Sequence, residues 1–292
     1  MLIYGIDFTS APSRRKPLVV ARGQLEGAHL TILDLVGCHD WATFEGYLRL
    51  PGPWIAALDL PFGLPAAVVA ALAWPATWAD YVAVAARLEL SAFLALLQGY
   101  SSRQPAGQKL PRRLTDVLAQ ARSPLMCQRV PLARMFWQGA PRLLASGACI
   151  LPCHPTEDGR FVLEGYPALV ARCWLARQPY KGSRPDQREG HRLARARLLA
   201  GLTCAGLTRR YGLTLSLGES SRTVCLNDSS GDYLDALLCA VQAAWAARMS
   251  GAANAATPEQ ARRSLSALLP ACDPNEGWIF DPALAASPGG GE

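Results

Sequence analysis

Five carboxylates lie where acids can do chemistry. The apolar run Leu2-Ile3-Tyr4-Gly5-Ile6 ends in Asp7, Trp54-Ile55-Ala56-Ala57-Leu58 ends in Asp59, and Phe161-Val162-Leu163 ends in Glu164. Each acid sits on or just past a strand-like segment, beside a turn or helix start. In open α/β sheets the ends of such strands form the ligand crevice. Carboxylates gathered there raise one another's pKa and resist ionisation. A divalent cation removes that cost, and hard oxygen ligands suit Mg²⁺ or Mn²⁺. A fourth contribution comes from Gly231-Asp232-Tyr233-Leu234-Asp235-Ala236. Asp232 and Asp235 are three apart, so they share a helix face, and they fall in the first turn, where the helix dipole favours negative charge. Taken singly, each acid also reads as a helix cap or an arginine partner, and that alternative stays open. The repeated arrangement is what points to a site.

Other chemistries find little support. There is no G-x-x-x-x-G-K-S/T phosphate loop, no G-x-S-x-G nucleophile elbow and no G-x-G-x-x-G after the first strand. The four histidines (His29, His39, His154 and His191) have no ligand spacing. Cys149, Cys153 and His154 lack the second pair that a structural zinc needs. The nine cysteines are scattered through apolar segments and read as reduced core residues of a cytoplasmic chain. Half of the 292 residues are hydrophobic and 18% are charged, which excludes wholesale disorder. No apolar run reaches membrane-spanning length, and Asp7 falls where a signal peptide needs apolar residues. A net charge of +6 permits nucleic-acid contact without demanding it. Nothing in the sequence sets the oligomeric state.

The elements that must position these acids follow from periodicity. Leu2–Phe8, Pro17–Arg22 and Ala28–Val36 read as three strands with short connections, an antiparallel meander. Asp40–Leu50 reads as a helix capped by Asp40. Trp54–Leu60 is a fourth strand, and the helix before it implies a crossover and a parallel pairing. Residues 66–147 are expected to form a helical insertion, with helices over Leu72–Leu97, Arg113–Arg122 and Leu132–Ser146. The Gly99–Pro111 interruption and its flank carry Arg103, Lys109, Arg112 and Arg113, a candidate contact surface beside the plainer reading of a solvated loop. Cys149–Leu151 and Phe161–Gly165 read as strands around a turn at Glu157–Gly159. Helices are then expected over Pro167–Arg177, Gln187–Leu207 and Gly231–Met249. Trp278–Phe280 reads as an edge strand and residues 287–292 as a disordered tail. The whole reads as one domain, residues 1–286.

Strand-strand-strand-helix-strand, with an acid on the first and fourth strands and a late helix bearing D-x-x-D-A, resembles the ribonuclease H-like superfamily. The details resemble its predicted nucleases of the domain of unknown function 429 type. The matching pieces are Gly5-Ile6-Asp7, Leu58–Leu64, Glu164–Ala168, Tyr180-Lys181, Asp232–Ala236 and Glu276-Gly277-Trp278, in order over nearly the whole chain. The first motif departs: Phe8–Pro12 stands where the family often has a glycine-rich turn. The resemblance implies an α/β fold with a ribonuclease H-like mixed sheet: three antiparallel N-terminal strands, then parallel ones, flanked by helices. It implies a nuclease in which Asp7 bridges two Mg²⁺ or Mn²⁺ ions about 3.5–4 Å apart. Asp59 and Asp235 then complete the coordination, with Asp232 or Glu164 binding metal or orienting water. Lys181 is a candidate phosphate contact, and Arg192, Arg195, Arg197, Arg209 and Arg210 a basic surface for the DNA or RNA backbone. Two alternatives remain: a non-catalytic scaffold on the same fold, and a phosphotransferase of the sugar-kinase and actin type, which lacks its glycine-rich loops here.

Overall fold

Leu2–Asp7 (β1), Leu18–Glu26 (β2) and His29–Cys38 (β3) form the antiparallel meander of a computed structural model that describes residues 1–128, 130–182 and 184–286. The proposed tail at 287–292 lies outside the described residues. Asp40 caps Trp41–Leu48 (α1), its carboxylate accepting from the Thr43 amide. That helix crosses over to Trp54–Asp59 (β4), which pairs parallel with β1.

Among the described residues five helices lie between β4 and the next strand: Ala66–Ala71 (α2), Trp78–Ala86 (α3), Leu90–Ser102 (α4), Leu114–Leu118 (α5) and Leu132–Ser146 (α6). The expected Leu72–Leu97 helix is two helices, α3 and α4, broken at Arg87–Glu89. The helix expected over Arg113–Arg122 stops at Leu118, and Gln120 has a positive φ.

Cys149–Leu151 (β5) and Arg160–Glu164 (β6) follow. They pair parallel, so the segment between them crosses over instead of closing a hairpin. Pro167–Leu175 (α7) begins with proline in its first turn. The expected Gln187–Leu207 helix is two, Arg188–Leu202 (α8) and Ala205–Tyr211 (α9), because Cys204 starts a new N-terminus by accepting from the Gly206 amide. Thr214–Leu217 (β7) went unread in the sequence: it is an edge strand of four residues, whose Thr-Leu-Ser-Leu alternation is brief and buries one side chain, Leu215. The chain closes with Glu219–Asn227 (α10), Asp232–Met249 (α11) and Pro258–Ser266 (α12). Trp278–Phe280 is not an edge strand. Ile279 makes one bridge to Glu164, and its amide donates to the Thr115 hydroxyl, which ends the ladder.

Among the described residues the seven strands form one mixed sheet in the order β5-β6-β4-β1-β2-β3-β7. Side chains alternate between its faces. Ile3, Val19, Ala21, Ile55 and Ala57 pack under α11, α7, α8 and α9. Tyr4, Ile6, Val20, Trp54, Ala56 and Leu58 pack under α1 and the inserted helices around Trp78, Phe93 and Phe136. No helix among the described residues is long and apolar enough to cross a membrane.

Helix α11 lies almost in backbone contact with β1. A Cβ on Gly5 would stand 2.1 Å from the Ala236 carbonyl oxygen and 2.1 Å from the Ala240 amide nitrogen. The small residues of α11 and the missing side chain at Gly5 therefore set the depth at which the helix sits. Gly5→Ala forces those backbones apart and should cost at least about 1–3 kcal/mol, the usual range for overpacking. Urea unfolding checks it, and an unchanged midpoint would show that the helix has room to spare.

Candidate metal centre

Strand parity puts Asp7 and Asp59 on the α11 face. Asp7 follows Ile3 and Gly5 by twos, and Asp59 follows Ile55 and Ala57. The parallel pairing sets Asp7 directly against Asp59. Helix α11 supplies the third acid. It begins at Gly231, whose φ of +78° favours glycine; a Cβ there would also crowd Lys181. Asp235 is one turn in, its amide donating to the Gly231 carbonyl at 2.9 Å. One carboxylate oxygen from each of Asp7, Asp59 and Asp235 lies within 4.8 Å of the others. Asp235 is fully buried, Asp7 is 6% exposed and Asp59 is half-buried.

Partners are few. Tyr180 Oη donates to Asp235 Oδ1 at 2.5 Å, and Lys181 Nζ donates to Asp235 Oδ2. Arg195 holds this loop by donating to the Tyr180 carbonyl, so Arg195 is a buried structural residue and not part of a basic surface. Among the described residues no hydrogen bond reaches the carboxylate of Asp7 or Asp59. Burial, reinforced by Asp235, raises the Asp7 carboxyl well above its usual range, with Lys181 pulling the other way. Burial and Asp235 likewise push Asp59 up to about 7. Burial opposes the Lys181 charge, but Asp235 outweighs it and holds the ammonium protonated.

The other two acids stand apart from this group. Glu164 pairs in register with Leu58, not with Asp59, so it faces the opposite side of the sheet. There it accepts from Arg113 Nη1 at 2.8 Å, Arg113 Nη2 at 2.6 Å and the Phe62 amide at 3.0 Å. Arg113 also binds Asp116 and is 2% exposed. It is therefore a buried counter-ion rather than part of a contact surface. Gly165, the residue past Glu164 on the α11 side, has no side chain to offer. Asp232 is 7% exposed, outside the three-acid group; burial raises its pKa, while Lys16 and the Ser230 hydroxyl lower it.

Asp59, Asp235 and Lys181 line a cleft of about 540 Å³, together with Pro61, Gln120, Tyr166 and Arg177 among others. Gln242 was not singled out in the sequence; Tyr180 stood there only as part of a matching motif and Arg113 only as a candidate surface cation. Gln242 is the one amide in the alanine-rich run of α11. It is fully buried, bridging the Tyr166 backbone and Asp281, and its isolation in that run was the available signal.

The family model described as Protein of unknown function (DUF429) matches residues 5–262. The chain belongs to the DUF429 family. No curated protein and no solved structure matches it. The DUF429 match spans all five acids together with Tyr180 and Lys181.

Two outcomes follow for this DUF429 chain. Arg113→Met leaves Glu164 and Asp116 buried without their cation and should cost about 3–5 kcal/mol in urea unfolding; a loss under 1 kcal/mol, the scale of a surface pair, would contradict it. Asp59 is raised from the unfolded value of 3.8 to about 7, so the folded state binds more protons across that window. Metal-free stability should therefore fall as pH rises through it. Asp59→Asn should flatten that decline in melting curves recorded with chelator, and an equally steep curve would count against the shift.

Proposed function

We propose that this chain is a divalent-metal-dependent nuclease on a ribonuclease H-like fold, hydrolysing phosphodiester bonds at Asp7, Asp59 and Asp235. The observation that carries this reading is the convergence of three carboxylates within 4.8 Å, two of them without a hydrogen-bond partner among the described residues, against the single ammonium of Lys181. Like charges gathered out of water are costly, and a scaffold would have them capping helices or pairing with arginines. Asp7 and Asp59 do neither. The donors are all hard oxygens, which fits Mg²⁺ or Mn²⁺. The sheet order supports the superfamily reading: β3-β2-β1 antiparallel, β4 and β6 parallel beyond them, and α11 across β1.

Asp7 lies opposite Asp59 and beneath Asp235, so the three would hold the cation between two strand ends and a helix start. A divalent ion held by Asp7, Asp59 and Asp235 would supply Lewis-acid activation of an attacking water and charge stabilisation at the leaving oxygen. The Tyr180 hydroxyl fixes one oxygen of Asp235 and so orients the carboxylate. Lys181 holds the other, and its side chain is 45% exposed toward the cleft. Its ammonium is placed to take a phosphate oxygen while remaining near Asp235. Arg113 neutralises Glu164 on the opposite face, which leaves Glu164 no role in holding metal. Asp232, one turn from Asp235, is left to orient water at the rim.

Mn²⁺ should raise the melting temperature, because a ligand that binds only the folded state stabilises it. Asp7→Asn should abolish that shift. Labelled DNA and RNA of several structures should be cut in Mn²⁺. Asp7→Asn and Asp235→Asn should each reduce cleavage by more than roughly 100-fold, an effect that loss of an outer-shell group alone can reach. Cleavage that survives both substitutions, or a protein whose melting ignores divalent ions, would sink the assignment.

A further inference from the structure

We propose that the substrate is a single polynucleotide strand, gripped beyond the acid group by the turn Arg14-Arg15-Lys16 while the scissile phosphate enters at Asp7 and Asp59. This rests on the nuclease reading and adds to it the form of the substrate and a second binding element.

Residues 8–17 join β1 to β2. Because Asp7 pairs with Val19, this connection stands at the same sheet end as the three acids. It is a shaped turn: the Ser13 amide donates to the Lys16 carbonyl at 3.0 Å and the Lys16 amide to Ser13 Oγ at 3.2 Å. His39 Nδ1 shares a hydrogen bond with the Ser13 carbonyl. The turn exposes Arg14, Arg15 and Lys16. Among the described residues none of these three side chains makes an ion pair or a hydrogen bond. Elsewhere on the surface Arg22, Arg49, Arg160, Arg184, Arg192 and Arg263 each pair with an acid. Other exposed cations, such as Arg209 and Arg210, also lack an ion pair among the described residues; what sets Arg14, Arg15 and Lys16 apart is that they are consecutive and stand at the sheet end that carries the buried acids. Lys16 is close enough to attract the Asp232 carboxylate, one helical turn from Asp235.

The order of the sheet turns these features into a path. Crossing its end from β2 to β6, the basic turn comes first, then Asp7 and Asp59, then the cleft below α7. The crossing is three strand spacings, about 14 Å. A substrate that touches both the basic turn and the cleft below α7 must span that crossing, which a polynucleotide does and a small phosphoester does not. The acids are sunk below the surface, and the cleft of about 540 Å³ is the size of a small-ligand pocket. A nucleotide follows its phosphate into such a space only when it is unstacked and unpaired. A duplex pays a few kcal/mol to expose one, whereas a single strand is already free. Tyr166 and Arg177 on the cleft wall match the aromatic and cationic groups by which single strands are held.

The test measures binding of labelled single strands of about 12 nucleotides, within the usual single-strand footprint, with Ca²⁺ replacing Mg²⁺, at several salt concentrations. The corresponding duplex and a dinucleotide are run beside it. Wild-type protein should bind the strand more tightly than the duplex. The combined variant Arg14→Gln, Arg15→Gln, Lys16→Gln should weaken strand binding at least about 10-fold at low salt. It should also lower the salt slope by about 2, since each phosphate contact contributes about 0.7 for single strands. Dinucleotide binding should be unchanged, and an unaltered Mn²⁺ melting shift in the variant shows that the fold and acid group are intact. Equal strand affinity and slope in variant and wild type would overturn the proposal, as would tighter binding of the duplex. A Mn²⁺ shift with no strand binding leaves the metal site standing and removes this inference. Turn-dependent strand binding without any metal response leaves the basic turn as a single-strand binding element and overturns both the hydrolase and the entry of a scissile phosphate at Asp7 and Asp59.

Discussion

The contact on which this protein depends is the close approach of α11 to β1 at Gly5. Packed at ordinary side-chain distance, the helix would carry Asp235 several ångströms above the strand ends, and three carboxylates would not share one space. Gly5 has no side chain, and the facing helix residues are alanines. Tight packing here is paired with small size, so the contact gains dispersion along its length without distorting either backbone. The last buried turn of that geometry is the Gly231 start of α11, where Lys181 and Tyr180 press against the helix terminus.

Two buried acidic arrangements lie on opposite faces of one sheet, and the fold treats them differently. On the insertion side, Glu164 and Asp116 are met by the five-donor fork of Arg113, and a backbone amide from Phe62 completes the shell. A guanidinium suits that duty because its planar donors match carboxylates and it does not lose its proton. The arrangement ties α5 to β6 and to the Glu276 carbonyl, fixing one wall of the cleft. On the α11 side, three acids have one flexible ammonium among them. That deficit is a stability cost in a metal-free chain, and it is the kind of local conflict that marks a functional site.

Much of the fold was legible. The meander, the Asp40 cap, a crossover through α1 to a parallel fourth strand, the placement of a helical insertion and the long late helix all follow from alternation, turn residues and composition. What was missed has local causes. β7 alternates over only four residues, α8 and α9 share one amphipathic pattern across a Cys204 cap, and the Trp278–Phe280 segment is apolar because it is buried, with a single bridge and no ladder. Arg113 read as a loop cation because basic residues surround it in the chain, and only packing shows that it alone turns inward.

The residue types at strand ends and at the start of α11 were determined by the amino-acid order, and so was the face each takes within its own element, because alternation is a local property of the backbone. The order alone did not say which neighbouring strand row each acid joins. Asp59 meets Asp7 because β4 pairs with β1 in that register. Glu164 meets Leu58, one residue away from Asp59, and so it points to the other side of the sheet. A shift of one residue exchanges the faces of a strand, and register is set by packing between segments that lie far apart in the chain.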